Sequence, residues 1–147
     1  MATMPTQGAL TAELLEQLLS SSSPQAYLSA APLDGRGLAD YARELLEAHG
    51  TTRAQVIRAA GLNTTYGYQI FQGERSPRRD QLIMLAFGLG CTLDEAQRLL
   101  RYAGHAELWC KQRRDAIVIF CLDRGMSRAE CDDELYRLGE PTLLTGE

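Results

Sequence analysis

Residues 52–77 read TRAQVIRAAGLNTTYGYQIFQGERSP, and their spacing predicts two short helices joined by a tight turn. Thr52 and Gln55 stand at capping-box distance: the hydroxyl accepts the N–H of the third helical residue, whose side chain reaches back to the cap. The helix they open closes at Gly61. Glycine is suited to that place because a sharp turn between helices asks for a positive φ. Asn63 is a good N-cap for a second helix running through Gln72, with Gly73 at its end. Ser76 and Pro77 then read as the cap and first position of the next helix, where a missing N–H does no harm. The second helix separates into two sides. Thr64, Thr65, Tyr68, Gln69 and Gln72 are polar or amphipathic and share one of them; Gly67, Ile70 and Phe71 share the other, with Tyr66 near the edge.

Working outward, the same caps and periods continue. Upstream, Leu38, Tyr41, Leu45 and Leu46 lie on one helical face, and Gly50 sits where a left-handed C-cap belongs. Downstream, Leu82, Leu85, Ala86 and Leu89 repeat at helical spacing. Thr92 and Glu95 form a second capping box leading to Leu93, Ala96, Leu99, Leu100 and a stop at Gly104. Five helices thus fill residues 37–104. Before them, residues 1–8 read as disordered. Leu10, Leu14, Leu15, Leu18 and Leu19 make a helix stopped by the run Ser20–Pro24, a short helix covers Gln25–Ala30, and Pro32–Gly37 read as a flexible linker. After them come a helix over Lys111–Arg124, stopped by Gly125, and a last one opened by the Ser127/Glu130 capping box and running to Leu138. No segment alternates apolar and polar residues for long, so the class expected is all-α. The expected division is an N-terminal helix and linker (1–36), a five-helix domain (37–104) and a two-helix C-terminal extension (105–147).

Composition excludes several classes. Hydrophobic residues make up 45% of the 147 and charged residues 23%, the balance of a globular chain. The apolar runs Leu82–Phe87 and Ala116–Leu122 are too short to cross a bilayer. No basic n-region precedes the first apolar stretch, which carries Glu13 and Glu16, so a secretory signal is not expected and a cytoplasmic location is. Cys91, Cys110, Cys121 and Cys131 contain no C-x-x-C pair and lack zinc-finger spacing with His105; they are expected as small hydrophobes, not as metal ligands or disulfides. Net charge is −4, which alone argues against nucleic acid. Its distribution does not. Residues 52–79 hold five arginines (53, 58, 75, 78, 79) against Glu74, and the flanks on either side are net acidic.

With Gly61, Gly73 and Pro77 as its frame, this stretch resembles the XRE family, the lambda-repressor-like helix-turn-helix group of Cro and phage repressor proteins. The resemblance spans about residues 38–104, because that fold has five helices in this order. It implies that Val56 and Ile70 seal the contact between the two helices. Two positions depart from the family pattern: Ile57 replaces a usual alanine, and Gly67 replaces a usual Ile or Val. The two sites pack together in that fold, so large and small are exchanged with volume roughly conserved. Phe71 replaces a frequently acidic residue. The resemblance implies a sequence-specific transcriptional regulator that binds double-stranded DNA, with helix 64–72 in the major groove. Thr64, Thr65 and Gln69 fall on base-reading positions, and Arg53 is placed for a base edge or phosphate. Tyr68, Gln72, Arg75, Arg78 and Arg79 are expected at the DNA backbone.

Surface Thr, Gln and Arg are on most helices merely solvated, and helix 64–72 carries no charge of its own. The competing reading is therefore a protein-interaction module on the same fold, presenting YGYQIF (66–71) to a protein partner. An enzyme is not expected, since Ser, His, Asp and Cys occur without catalytic spacing and the GLG at 88–90 has neither lysine nor strand beside it. No cofactor is implied. The run AIVIFCL (116–122) is apolar almost all round and is expected to be buried on most sides. The leucines of residues 10–19, Leu135 and Leu138 are its candidate cover, with a homodimer interface formed in part by these terminal helices.

Overall fold

In the computed structural model, the structure describes residues 7–30 and 36–145, and every regular element among them is an α-helix. They are α1 (Gln7–Ser20), α2 (Pro24–Ala30), α3 (Arg36–Ala48), α4 (Arg53–Ala60), α5 (Thr64–Phe71), α6 (Arg79–Leu89), α7 (Leu93–Tyr102), α8 (Arg113–Asp123) and α9 (Arg128–Arg137). None is long and apolar enough to cross a membrane. Local chemistry accounts for their ends. Thr52, Thr92 and Ser127 each accept from the N–H three residues on, and Gln55, Glu95 and Glu130 return the bond to the cap's N–H.

Helix α6 is the centre of the structure. Leu82, Ile83, Met84, Leu85, Ala86, Phe87 and Leu89 are all buried, so it is wrapped rather than amphipathic. Helix α4 lies across it, α7 and α9 lie against it, and α3 bridges α5 and α7. Phe71 is fully buried in this core. Its backbone carbonyl accepts Nη1 of Arg43 at 2.6 Å, which occupies the open C-terminal end of α5. Cys91, Cys121 and Cys131 are buried while Cys110 is exposed. Burial raises the pKa of the first three thiols above the ordinary range. Burial likewise raises that of Tyr41, against the pull of the Arg98 guanidinium over its ring.

Several boundaries differ from those read in the sequence. Residues 1–6 and 31–35 lie outside the described ones, but Gln7 and Gly8 are helical in α1, not disordered, and Gly37 belongs to α3, not to a linker. Ser76 and Pro77 do not open α6. That helix begins at Arg79 with Arg78 as its cap, because Gln81 Oε1 accepts the Arg78 N–H at 3.0 Å. Pro77 is instead buried in the extended segment before it, and its carbonyl accepts the His105 imidazole Nε2 at 2.8 Å.

The run 116–122 is also less buried than its composition suggests. Val118, Cys121 and Leu122 face the core, but Phe120 is 53% exposed with the Arg124 guanidinium 4.5 Å above its ring. The reason is that α8 packs mainly on α9, with a smaller contact to α7. Leu135 of α9 supplies part of that cover. Helix α1 packs on α2 and α7, leaving Leu15, Leu18 and Leu19 exposed.

Candidate nucleic-acid interface

Helices α4 and α5 are joined by Gly61, Leu62 and Asn63. Gly61 has φ 78° and sends its N–H back to Ile57 and Arg58 at 3.1 Å each, ending α4 in the left-handed conformation that glycine adopts without strain. Asn63 Oδ1 then accepts the Tyr66 N–H at 3.1 Å and opens α5. Where α4 and α5 touch, Ile57 packs directly against Gly67. A Cβ on Gly67 would stand 2.6 Å from Ile57 Cγ1 and under 3 Å from two further atoms of that side chain. Ile57 of α4 thus fills the space over Gly67 in which a side chain of α5 would otherwise stand. Val56 and Ile70 are fully buried in the same core.

This packing turns Gly67, Ile70 and Phe71 inward and leaves the opposite side of α5 at the surface. Thr64 and Thr65 are exposed, and Tyr68 and Gln69 are half-buried along the edge. Arginines stand on both sides of the helix. The Arg53 guanidinium lies 5.6 Å from the centroid of Tyr68, and that of Arg75 lies 5.7 Å from the centroid of Tyr66. Both are within the range in which a ring face attracts a cation. Arg75 Nε also donates to Gln69 Oε1 at 2.8 Å, which fixes the direction of that carboxamide. The Tyr66 hydroxyl donates to Gln81 Oε1 at 2.8 Å, tying α5 to the start of α6. Arg78 is exposed. Gln72 ends α5, exposed and beside the Glu74 carboxylate.

Arg79 is the exception among the residues expected at a DNA backbone. Its guanidinium binds Asp115 with two bonds of 3.1 and 2.8 Å and donates further to the carbonyls of Ala106 and Glu107. Asp115 is buried and also accepts the Trp109 N–H at 3.0 Å. Arg79 thus ties α6 to the first turn of α8 and to the segment before it, and its charge is matched by Asp115. Thr65, Gln69, Arg75 and Arg78 line one groove, which Arg79 also lines with its guanidinium held by Asp115; Arg53 stands beside Tyr68, and Thr64 and Gln72 are exposed.

Three features of this surface escape sequence spacing. Gln81 joins it because it sits three residues past the true cap of α6, a relation visible only once that helix is known to start at Arg79. Arg43 caps α5 from 28 residues away. Leu143, Leu144 and Thr145 line a groove of about 690 Å³ together with Thr65, Gln69, Arg75 and Arg78. No local signal announces either of the last two.

Among the described residues, no cluster of three or more His, Cys, Asp or Glu is placed to hold a metal ion. Comparison of the chain with protein-family models, with curated proteins and with solved structures finds no match.

Proposed function

We propose that α3–α7 are a helix-turn-helix domain of the XRE, lambda-repressor-like type, and that the protein is a transcriptional regulator binding duplex DNA in a sequence-specific manner. One observation carries this reading: α5, an uncharged helix with an open polar side, is flanked on one edge by Arg53 and on the other by Arg75, each set against a tyrosine of α5 itself. A major groove accepts a helix between two phosphate strands, and cations on both edges with hydrogen-bonding groups between them suit that geometry. Thr64, Thr65 and Gln69 read base edges. Arg53 reaches a base or phosphate beside them, while Tyr68, Gln72, Arg75 and Arg78 contact the backbone. Two copies bind one palindrome, with the exposed leucines of α1 among the surfaces available for pairing. Such a regulator works in the cytoplasm and catalyses no reaction.

A protein-interaction module is the second reading, and the exposure of Trp109 (62%) and Tyr136 (81%) on the C-terminal third favours it. Variants separate the two. On the duplex preferred by the wild-type chain, Arg53→Ala with Gln69→Ala is expected to weaken binding at least ~30-fold, since each good base contact contributes about 1–3 kcal/mol, and to abolish preference over random DNA. Arg78→Ala should weaken both duplexes alike and lower the salt slope by about 1. Light scattering of the complex should give two chains per palindrome. Unchanged affinities in all variants would sink the DNA reading.

A further inference from the structure

Beyond α9 the chain is pinned down residue by residue. Arg113 Nη2 donates to the Leu138 carbonyl at 2.6 Å, and its Nε pairs with Glu140 at 3.1 Å. Arg114, whose bidentate bonds to Asp80 (2.8 and 3.0 Å) raise its pKa, donates on to the carbonyls of Pro141 at 2.9 Å and Thr142 at 3.3 Å. The buried Asp132 accepts the N–H groups of Leu143 (2.6 Å) and Leu144 (3.2 Å). The same carboxylate holds Arg128 at 2.5 Å, and the Arg128 guanidinium lies over the turn, where a Cβ on Gly61 would stand 3.0 Å from its Nε. Leu143 is 2% exposed and anchors the segment in the core. Residues 143–145 consequently become one wall of the groove whose other wall is the edge of α5.

The charge of that groove is positive. Asp80 is matched by Arg114 and Arg79 by Asp115, which leaves Arg75 and Arg78 without a carboxylate among the described bonds. We infer that the C-terminal segment is part of the DNA-contacting surface. One sugar–phosphate strand lies in the groove, with Arg75 and Arg78 on one lip and the Thr145 hydroxyl with the backbone of Leu144–Thr145 on the other. A strand of phosphates suits an open channel with two cations on its lip, and a segment held by two arginines and a buried carboxylate is placed firmly enough to set its position. This inference rests on the DNA-binding reading above.

The test uses the full chain and the duplex that the wild-type protein enriches, followed by fluorescence anisotropy between about 50 and 200 mM salt. Thr145 is exposed, so Thr145→Lys and Thr145→Glu should melt like the wild type. Lysine should tighten binding about threefold and steepen the log–log salt slope by about 0.9, the release expected for one more neutralised phosphate. Glutamate should weaken binding about tenfold, as like charges meet across the interface. Equal affinity and slope in all three proteins, or tighter binding by both variants, would overturn the inference. If the wild-type chain shows no salt-dependent duplex binding, the DNA reading fails and this inference with it. If binding is lost in Arg53→Ala with Gln69→Ala but is insensitive to residue 145, only the inference about the C-terminal segment fails.

Discussion

Gly88→Ala is expected to destabilise the protein by about 3 kcal/mol or more, the upper end of what an inserted methyl costs in a packed core. A Cβ at this position would stand 2.5 Å from the Val56 carbonyl oxygen, 2.9 Å from Ala60 Cβ and 3.1 Å from the Ala60 nitrogen. Two of those three neighbours are backbone atoms of α4, so no side-chain rotation relieves the clash. The helices α4 and α6 must separate, and α4 carries both Ile57, which fills the space above Gly67, and Arg53. For a chain of this length about 3 kcal/mol corresponds to a fall in Tm of ~10 °C, read by circular dichroism. A shift under about 2 °C would show that the contact between these helices is looser than the structure has it.

The second large effect belongs to Asp115→Ala. Asp115 and Arg79 have side-chain exposures of 5% and 26%, and Asp115 also holds the Trp109 N–H. Removing one member of a buried pair strands the other in a poorly solvated place, at about 3–5 kcal/mol. The exposed Arg137–Glu134 pair (66% and 35%) provides the control: Arg137→Ala should change stability by less than about 1 kcal/mol. Denaturant midpoints at constant slope give both values. Equal, small effects for the two substitutions would mean that Arg79 finds other partners, in which case its charge would be available to the surface after all.

How far these features were legible in the sequence depends on the range of the chemistry behind them. Thr52 with Gln55, Asn63 with Tyr66, Thr92 with Glu95 and Ser127 with Glu130 act across three residues, so spacing alone placed those helix starts. The inward side of α5 follows from Gly67, Ile70 and Phe71 lying about a turn apart, and the packing of Ile57 on Gly67 is seen in their contact. Long-range bonds decide the rest. The start of α6 differs from the local signal because Pro77, a good first helical residue by spacing, is buried before the helix begins, with its carbonyl bonded to His105. Arg79 belonged to a cluster of like charges in sequence, yet its partner Asp115 lies 36 residues on. The apolar run in α8 led to an expectation of burial on most sides, but how many neighbours a helix meets is a property of the assembled chain. The place of Leu143–Thr145 beside α5 depends on Arg114 and Asp132, with no periodic pattern to betray it.

On the reading proposed above, the side of α5 bearing Thr64, Thr65 and Gln69 reads DNA. The most direct test is anisotropy of the full chain with a pool of randomised duplexes over a salt series, followed by sequencing of the bound fraction. Binding that weakens steeply with salt and enrichment of one palindromic sequence are expected. Absence of duplex binding at low salt by a chain shown to be folded would contradict it, and would leave α5 and the groove beside it as a surface for a protein partner.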